Sequence, residues 1–200
     1  MIDVSDERSQ RILAVTIELA EQGGFSAVRL RDVAQSSGVA LGTLYKRFRS
    51  KEDLLISVVS NELGAVQTRL ESYEFSPERG LRLLEIFSLL TEFLSERPNF
   101  GRAVIRSAGA AEQALAERLV AFHSTLGGMI GAAFMGEGGP PSAQTLRVIS
   151  VLQRLWFSLM LGWASGLHTP EGVRAELEFT IDLLLRGLEA GAANEAPASS

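Results

Sequence analysis

Residues 34–51 constrain the fold of this chain more than any other segment, and they read AQSSGVALGTLYKRFRSK. Gly38 can supply the positive φ that a tight turn between two helices requires, so one helix should end there. A short helix should follow this turn. Ser50 and Asp53 have the spacing of a capping box, which predicts that another helix begins at about Lys51. The segment therefore predicts two helices joined by a sharp turn and followed closely by a third.

The short helix should present a polar, basic face to solvent. Val39, Leu44 and Phe48 are expected to face the core. The residues left outward are Leu41, Gly42, Thr43, Lys46 and Arg47, with Tyr45 at the edge. Four basic and no acidic residues lie between positions 40 and 51. Small, hydroxyl and basic groups on a helix of about two turns suit the major groove of DNA.

This segment resembles the helix-turn-helix of the TetR family of bacterial transcriptional regulators. The matching residues are Arg31-Asp32-Val33-Ala34, Gly38-Val39, Gly42-Thr43-Leu44-Tyr45, Phe48 and Ser50-Lys51-Glu52-Asp53-Leu54-Leu55. The resemblance covers the N-terminal part of the chain and little of the remainder. Ala40 departs from the pattern, because the family often has a hydroxyl residue there that caps the recognition helix, and this puts one cap hydrogen bond in question.

Two kinds of DNA contact are expected. Basic side chains should touch the phosphate backbone, whereas Leu41, Gly42 and Thr43 should lie nearer the base edges. The resemblance places the Tyr45 hydroxyl on a phosphate with its ring packed beneath, and a core role for this ring stays open. For Arg29 and Arg31 the alternative is a solvated surface position. The predicted DNA-binding residues are Arg29, Arg31, Ala40, Leu41, Gly42, Thr43, Tyr45, Lys46, Arg47 and Lys51.

The formal net charge of −5 is divided unevenly along the chain. Residues 1–51 carry eight Lys or Arg and six Asp or Glu, giving +2, whereas residues 52–200 carry eleven and eighteen, giving −7. An acidic body repels nucleic acid except where the basic end is presented, which favours one docking orientation. The acidic N-terminus, MIDVSDER, is unlike a signal peptide and predicts a cytoplasmic location.

The rest of the chain has helical period and no strand-like alternation, which predicts an all-α fold. A three-helix DNA-binding domain should occupy residues 1–51, with Ser5 capping the first helix and a long helix from about 51 as the link. Residues 52–190 should form a helical domain for effector binding and dimerisation. Residues 191–200 should be a disordered tail. The short helix of about two turns should lie between Gly38 and Ser50, and the other predicted helices cover residues 5–24, 28–36, 51–74, 76–97, 99–108, 111–135, 143–166 and 171–189.

The most apolar predicted helix, residues 143–166, indicates how copies of the chain could associate. Its uncharged run of 13 residues, positions 155–167, is shorter than the ~20 that a membrane span needs, so a buried helix is the better interpretation. A helix that is apolar on most of its circumference must be covered on several sides. The last two helices are therefore expected to pair with a second copy, as the family resemblance also implies. Two identical heads would then bind a palindromic DNA operator.

An effector pocket is expected in the C-terminal domain. Its aromatic and Met residues exceed what a packed core of this length needs, and they predict a site for an apolar ligand with few polar anchors. Taken one at a time, each is more simply a core residue. Arg102 and Arg106 are candidates to neutralise an acidic head group, or are solvated surface. The predicted ligand-binding residues are Phe87, Phe93, Phe100, Arg106, Phe122, Leu126, Met129, Trp156, Met160 and Trp163.

Three segments narrow the expected ligand class. Residues 39–48, the break at Arg97-Pro98 and residues 148–163 resemble TetR-family repressors of lipid and steroid breakdown. The resemblance implies lipid-derived or acyl-CoA-like effectors.

Residues for catalysis are scarce. The chain has no cysteine, and its two histidines, His123 and His168, are far apart in sequence. No nucleophile with a base and no metal cluster can be assembled, so an enzyme is not expected and no cofactor or metal is assigned. The sequence predicts a dimeric DNA-binding repressor that an apolar small molecule releases from a palindromic operator. The alternative is an all-α ligand-binding or protein-interaction module without sequence-specific DNA binding.

Overall fold

The computed structural model describes residues 7–110, 112–136 and 138–195. Within these residues the chain is helical and contains no strand, which confirms the predicted all-α fold. The helices are α1 Glu7–Ala27, α2 Leu30–Ser37, α3 Leu41–Arg47, α4 Lys51–Leu70, α5 Arg79–Ser95, α6 Pro98–Gly109, α7 Ala116–Met135, α8 Ala143–Ala164 and α9 Pro170–Glu195, with a short 3-10 helix, Gln113–Leu115, before α7.

Several helix ends differ from the prediction. Helix α1 bends at Gly23 and Gly24, where the backbone is not helical, and then continues to Ala27. Helix α4 ends at Leu70, four residues earlier than expected. Helix α9 continues to Glu195, because the alanines at its C-terminal end favour helix, so the predicted tail is helical as far as that residue. The predicted cap Ser5 and residues 196–200 lie outside the described residues.

The N-terminal head consists of α1, α2 and α3 and is built around the predicted turn. Helix α2 ends at Gly38, whose φ of 68° and ψ of 26° are left-handed, and the Val39 N–H donates to Ala34 O at 3.0 Å. Leu44 and Phe48 are buried in the core of the head. The helix-turn-helix is therefore present as predicted, with α3 as its second helix.

The head docks on the body through α6. Glu21 accepts from the Phe100 N–H at 3.0 Å, and Asn99 donates to the Glu21 carbonyl at 2.8 Å, so α1 caps the N-terminus of α6. Two cations lie over the Phe25 ring, with Lys51 Nζ 3.7 Å and the Arg106 guanidinium 4.8 Å from its centroid. Polar caps and cation–π contacts thus supplement apolar packing at the junction.

The C-terminal body, α4 to α9, has a core rich in large side chains. Trp156 is buried, and its indole N–H donates to Thr91 Oγ1 at 3.0 Å. The corner between α5 and α6 is tight, because a Cβ on Gly101 would lie 2.2 Å from Leu94 O. None of the helices among the described residues is both long and apolar enough to cross a lipid bilayer.

Candidate DNA-binding face and effector groove

Helix α3 is held against the head by its apolar side and exposes the other side. Leu44 is its buried residue, and Phe48 follows it into the core. Ala40 makes no side-chain cap, and its carbonyl accepts from the N–H groups of Thr43 and Leu44 at 2.9 and 3.2 Å. The exposed residues of the helix are Leu41, Gly42, Thr43, Tyr45 and Lys46. Tyr45 is 56% exposed, so its ring is not a core residue of this chain.

The basic residues predicted to touch DNA differ in their exposure and in the contacts that their side chains make within the chain. Arg29 and Lys46 are exposed, and their side chains make no hydrogen bond or ion pair with the rest of the described chain. Arg31 is exposed and lies 3.6 Å from Asp32. Arg47 is half-buried. Lys51 is also half-buried, and its ammonium donates to Phe25 O at 3.3 Å, so it is less available than expected.

The junction between α3 and α4 is fixed by a buried carboxylate. Ser50 Oγ accepts from the Asp53 N–H at 3.2 Å, as predicted, but Asp53 reaches back to the Arg49 N–H at 2.8 Å, one residue beyond the expected partner. Asp53 is buried, and its Oδ1 lies 2.6 Å from Nε of Arg118 on α7. Arg118 also donates to Ser57 Oγ and, at 3.4 Å, to Arg47 O at the end of α3. One guanidinium from the body therefore ties α3 to α4.

A groove runs between α4 and α7, and we call it the α4–α7 groove. It consists of two cavities, of about 740 and about 440 Å³, that share Gln67 as a lining residue. Gly64 and Gly128 open it, since a Cβ on either would meet nothing within 4 Å. Arg118 lies at the end nearest the head, and Arg82 lies at the far end. The volumes fall in the range of small-molecule sites.

The hydrogen-bond partners of the Arg82 side chain differ from those of Arg118. The Arg82 guanidinium donates to backbone carbonyls only, including Ala133 O at 2.8 Å, and pairs with no carboxylate of the described chain. Both arginines therefore place positive charge in the walls of the groove. Neither arginine is among the ligand-binding residues predicted from the sequence.

The structure does not gather the predicted ligand-binding residues around one cavity. Met129 and Phe122 line the two halves of the α4–α7 groove, whereas Phe87 lines a separate cavity of about 280 Å³ between α5 and α9. The predicted residues that line none of these cavities in the described chain are Phe93, Phe100, Arg106, Leu126, Trp156, Met160 and Trp163.

Packing explains why most of these residues line no cavity. Phe100, Leu126, Trp156, Met160 and Trp163 are buried, because large apolar side chains on facing helices fill the space between them.

Two further members of the predicted set face cations or aromatic rings. Phe93 is half-buried, with the Arg97 guanidinium 5.7 Å from its ring centroid. Arg106 lies over Phe25, and Arg102 lies over Trp163 at 5.5 Å, so neither arginine lines the groove. The space lies instead where helices carry glycine and other small residues.

Side chains that could hold a metal ion do not cluster in the described part of the chain. No cluster of three or more His, Cys, Asp or Glu residues that could hold a metal occurs among the described residues. His123 accepts from Gln153 Nε2 at its carbonyl, at 2.9 Å, and burial lowers the pKa of its ring below the ordinary value near 6.5. This environment keeps the imidazole neutral near pH 7.

An exposed second helix of a helix-turn-helix, mounted on a helical body that contains a groove, defines a DNA-binding regulator. Comparison with known proteins identifies which kind. The family model "Bacterial regulatory proteins, tetR family" matches residues 12–58, and the model "Tetracyclin repressor-like, C-terminal domain" matches residues 78–184. The chain belongs to the TetR family and is a transcriptional repressor, not an enzyme.

Relatives along nearly the whole chain agree with this assignment. The transcriptional repressor KstR of Rhodococcus jostii is 30% identical over 181 residues, which cover 90% of this chain and 83% of the relative. A TetR transcriptional regulator from Rhodococcus sp. RHA1 superposes with a TM-score of 0.80 at 25% identity, covering 89% of this chain and 95% of that one. Thermus thermophilus FadR, solved with lauroyl-CoA, has a TM-score of 0.66 at 23% identity, covering 97% and 100%.

Proposed function

We propose that two copies of this chain form a repressor that binds a palindromic operator and releases it when an amphipathic, lipid-derived small molecule occupies the body. The observation that carries the proposal is the outward face of α3, where Thr43, Tyr45 and Lys46 are exposed while Leu44 anchors the helix from behind. A short helix held in this way can enter a major groove without disturbing its own core.

Dimerisation is proposed through α8 and α9. These helices expose apolar side chains that the single chain leaves uncovered, among them Val151, Leu161, Phe179 and Leu183. Phe179 is 68% exposed, and large apolar groups grouped on one surface commonly mark an interface. Pairing α8 and α9 with their two-fold mates would bury these groups and set two heads side by side.

The effector is proposed to lie in the α4–α7 groove. The groove is long, largely apolar and flanked by arginine, which suits a lipid-like tail joined to an anionic group. The lauroyl-CoA complex of T. thermophilus FadR supports the same ligand class, acyl-CoA-like molecules. An effector that shifts the repressor from 1:99 to 99:1 in favour of release must bind the released state about 10⁴-fold more tightly.

A mobility-shift assay with the DNA upstream of the protein's own gene tests the DNA half of the proposal. Wild-type protein should give a salt-dependent specific shift, and the double variant Lys46→Ala/Arg47→Ala should not. The variant Arg69→Ala is the control, because it removes an exposed cation of α4 that lines no part of the groove. Equal shifts by all three proteins would contradict the assignment of α3.

The effector half is tested in the same assay by adding ligand. Lauroyl-CoA should release the shifted DNA, whereas free coenzyme A should not, because it lacks the apolar tail that fills the groove. Release by both compounds, or by neither, would argue against a lipid-like effector.

A further inference from the structure

Building on the proposed effector, we propose that Arg118 is the anion-binding residue of the α4–α7 groove, where it takes the carboxylate or phosphate of an acyl ligand. The ligand anion then competes with Asp53 for the same guanidinium. Binding of the effector breaks the Asp53–Arg118 ion pair that holds the α3–α4 junction. Effector binding and DNA binding therefore exclude each other.

The lining of the groove favours Arg118 over other positions near the head. The cavity of about 440 Å³ is lined by α4 and α7, and Arg118 is its one charged residue within the described chain. The same cavity is lined by hydroxyl and amide groups, including Ser60 and Asn61, and by the apolar Leu63 and Phe122. This combination of one cation, polar groups and apolar surface suits an amphipathic molecule whose anionic end lies at Arg118.

Arg118 lines two cavities. Besides the groove, it lines a second cavity of about 300 Å³ together with Asp53, Arg49 and Glu117. Its side chain is 38% exposed, whereas that of Asp53 is 1% exposed. The guanidinium can therefore turn toward a ligand in the groove, and this would leave the nearly buried carboxylate without its cation.

Loss of the Asp53–Arg118 ion pair would directly affect the segment that carries the DNA-binding face. Asp53 accepts from the Arg49 N–H, and Arg118 donates to Arg47 O, so both partners hold the segment that joins α3 to α4. A buried carboxylate without its cation is strongly unfavourable, and the junction must rearrange to solvate it. Rearrangement displaces the C-terminal end of α3 relative to α4.

The test measures ligand binding in the absence of DNA, by titration calorimetry of the full chain. The probes are dodecanoate below its micelle concentration, lauroyl-CoA, and the uncharged dodecan-1-ol. Arg118→Gln should weaken binding of an anionic probe about tenfold and leave dodecan-1-ol unchanged, because it removes a charge-assisted contact. The two anionic probes show whether a carboxylate or a phosphate is the group bound.

Asp53→Asn should act in the opposite direction. It removes the competitor, so the anionic probes should bind several-fold more tightly, while operator affinity falls. A residue that only supports the fold would not strengthen ligand binding when removed. If Asp53→Asn does not fold, Ser57→Ala provides the same test, since it frees one arm of Arg118 and should raise dodecanoate affinity about threefold. Arg69→Gln removes the same charge as Arg118→Gln but from an exposed position on α4, so it should leave the affinity for every probe unchanged.

Each outcome bears on a separate claim. If the wild type binds the anionic probes and Arg118→Gln binds them equally well, the anion site is elsewhere, and the proposed effector class still stands. If Arg118→Gln weakens all three probes alike, Arg118 only shapes the groove and the proposal is overturned. If no anionic probe binds the wild type, both the effector class and the Arg118 site are wrong.

Discussion

Lys46 offers a quantitative test of which face meets DNA. Its ammonium is exposed on α3 and is not held by any other described residue, so replacing it by alanine removes a DNA contact without removing an internal one. A dimer presents two copies. Each phosphate contact contributes about 0.9 to the slope of log affinity against log salt concentration, so Lys46→Ala should make that slope shallower by about 2.

The two lost phosphate contacts also set the loss of affinity. Because counterion release vanishes as salt approaches about 1 M, two lost contacts cost about 1.8 decades at about 0.1 M salt, on the order of 60-fold. Fluorescence anisotropy of a labelled operator duplex between about 50 and about 200 mM KCl measures both slope and affinity. Parallel lines for Lys46→Ala and wild type would refute the assignment, and Arg69→Ala should run parallel to wild type.

Three further predictions follow from packing and burial. Phe179→Glu should weaken the dimer at least 100-fold, because each interface would bury two carboxylates, and sedimentation velocity should show a monomer, whereas Leu81→Glu on α5 should leave a dimer. Gly101→Ala should destabilise the fold by at least about 2 kcal/mol in urea unfolding, since its Cβ would clash with Leu94 O; a wild-type midpoint would disprove the close approach. Burial lowers the pKa of folded His123, so the unfolded state takes up its proton first as pH falls below the ordinary value near 6.5. Thermal stability should therefore decline from about pH 7.5 to about pH 5.5 and decline less in His123→Gln, and identical declines would contradict this.

Local features of the helix-turn-helix could be predicted from sequence, because they depend on neighbours in the chain. The left-handed turn at Gly38, the inward Leu44 and the Ser50 cap of α4 each involve residues a few positions apart. The exposed face of α3 follows from them, since helical period sets which side remains when one side is buried.

The partner of Asp53 and the position of the groove could not be predicted in this way. Arg118 comes from a different helix, and its arrival at the α3–α4 junction depends on how α7 packs against α4. The positions of the predicted pocket residues also depend on how distant helices pack together. Trp156 and Phe100 fill the core, while the open space lies beside Gly64 and Gly128.

The central claim is that two α3 helices, related by the two-fold symmetry of a dimer, bind successive major grooves of one duplex. Footprinting of the purified protein on its upstream DNA tests it most directly. The expected result is a pair of protected patches on one face of the DNA, centred on an inverted repeat and about one turn, 34–36 Å, or a multiple of it apart. A single protected patch, bound by one copy of the chain, would contradict the account.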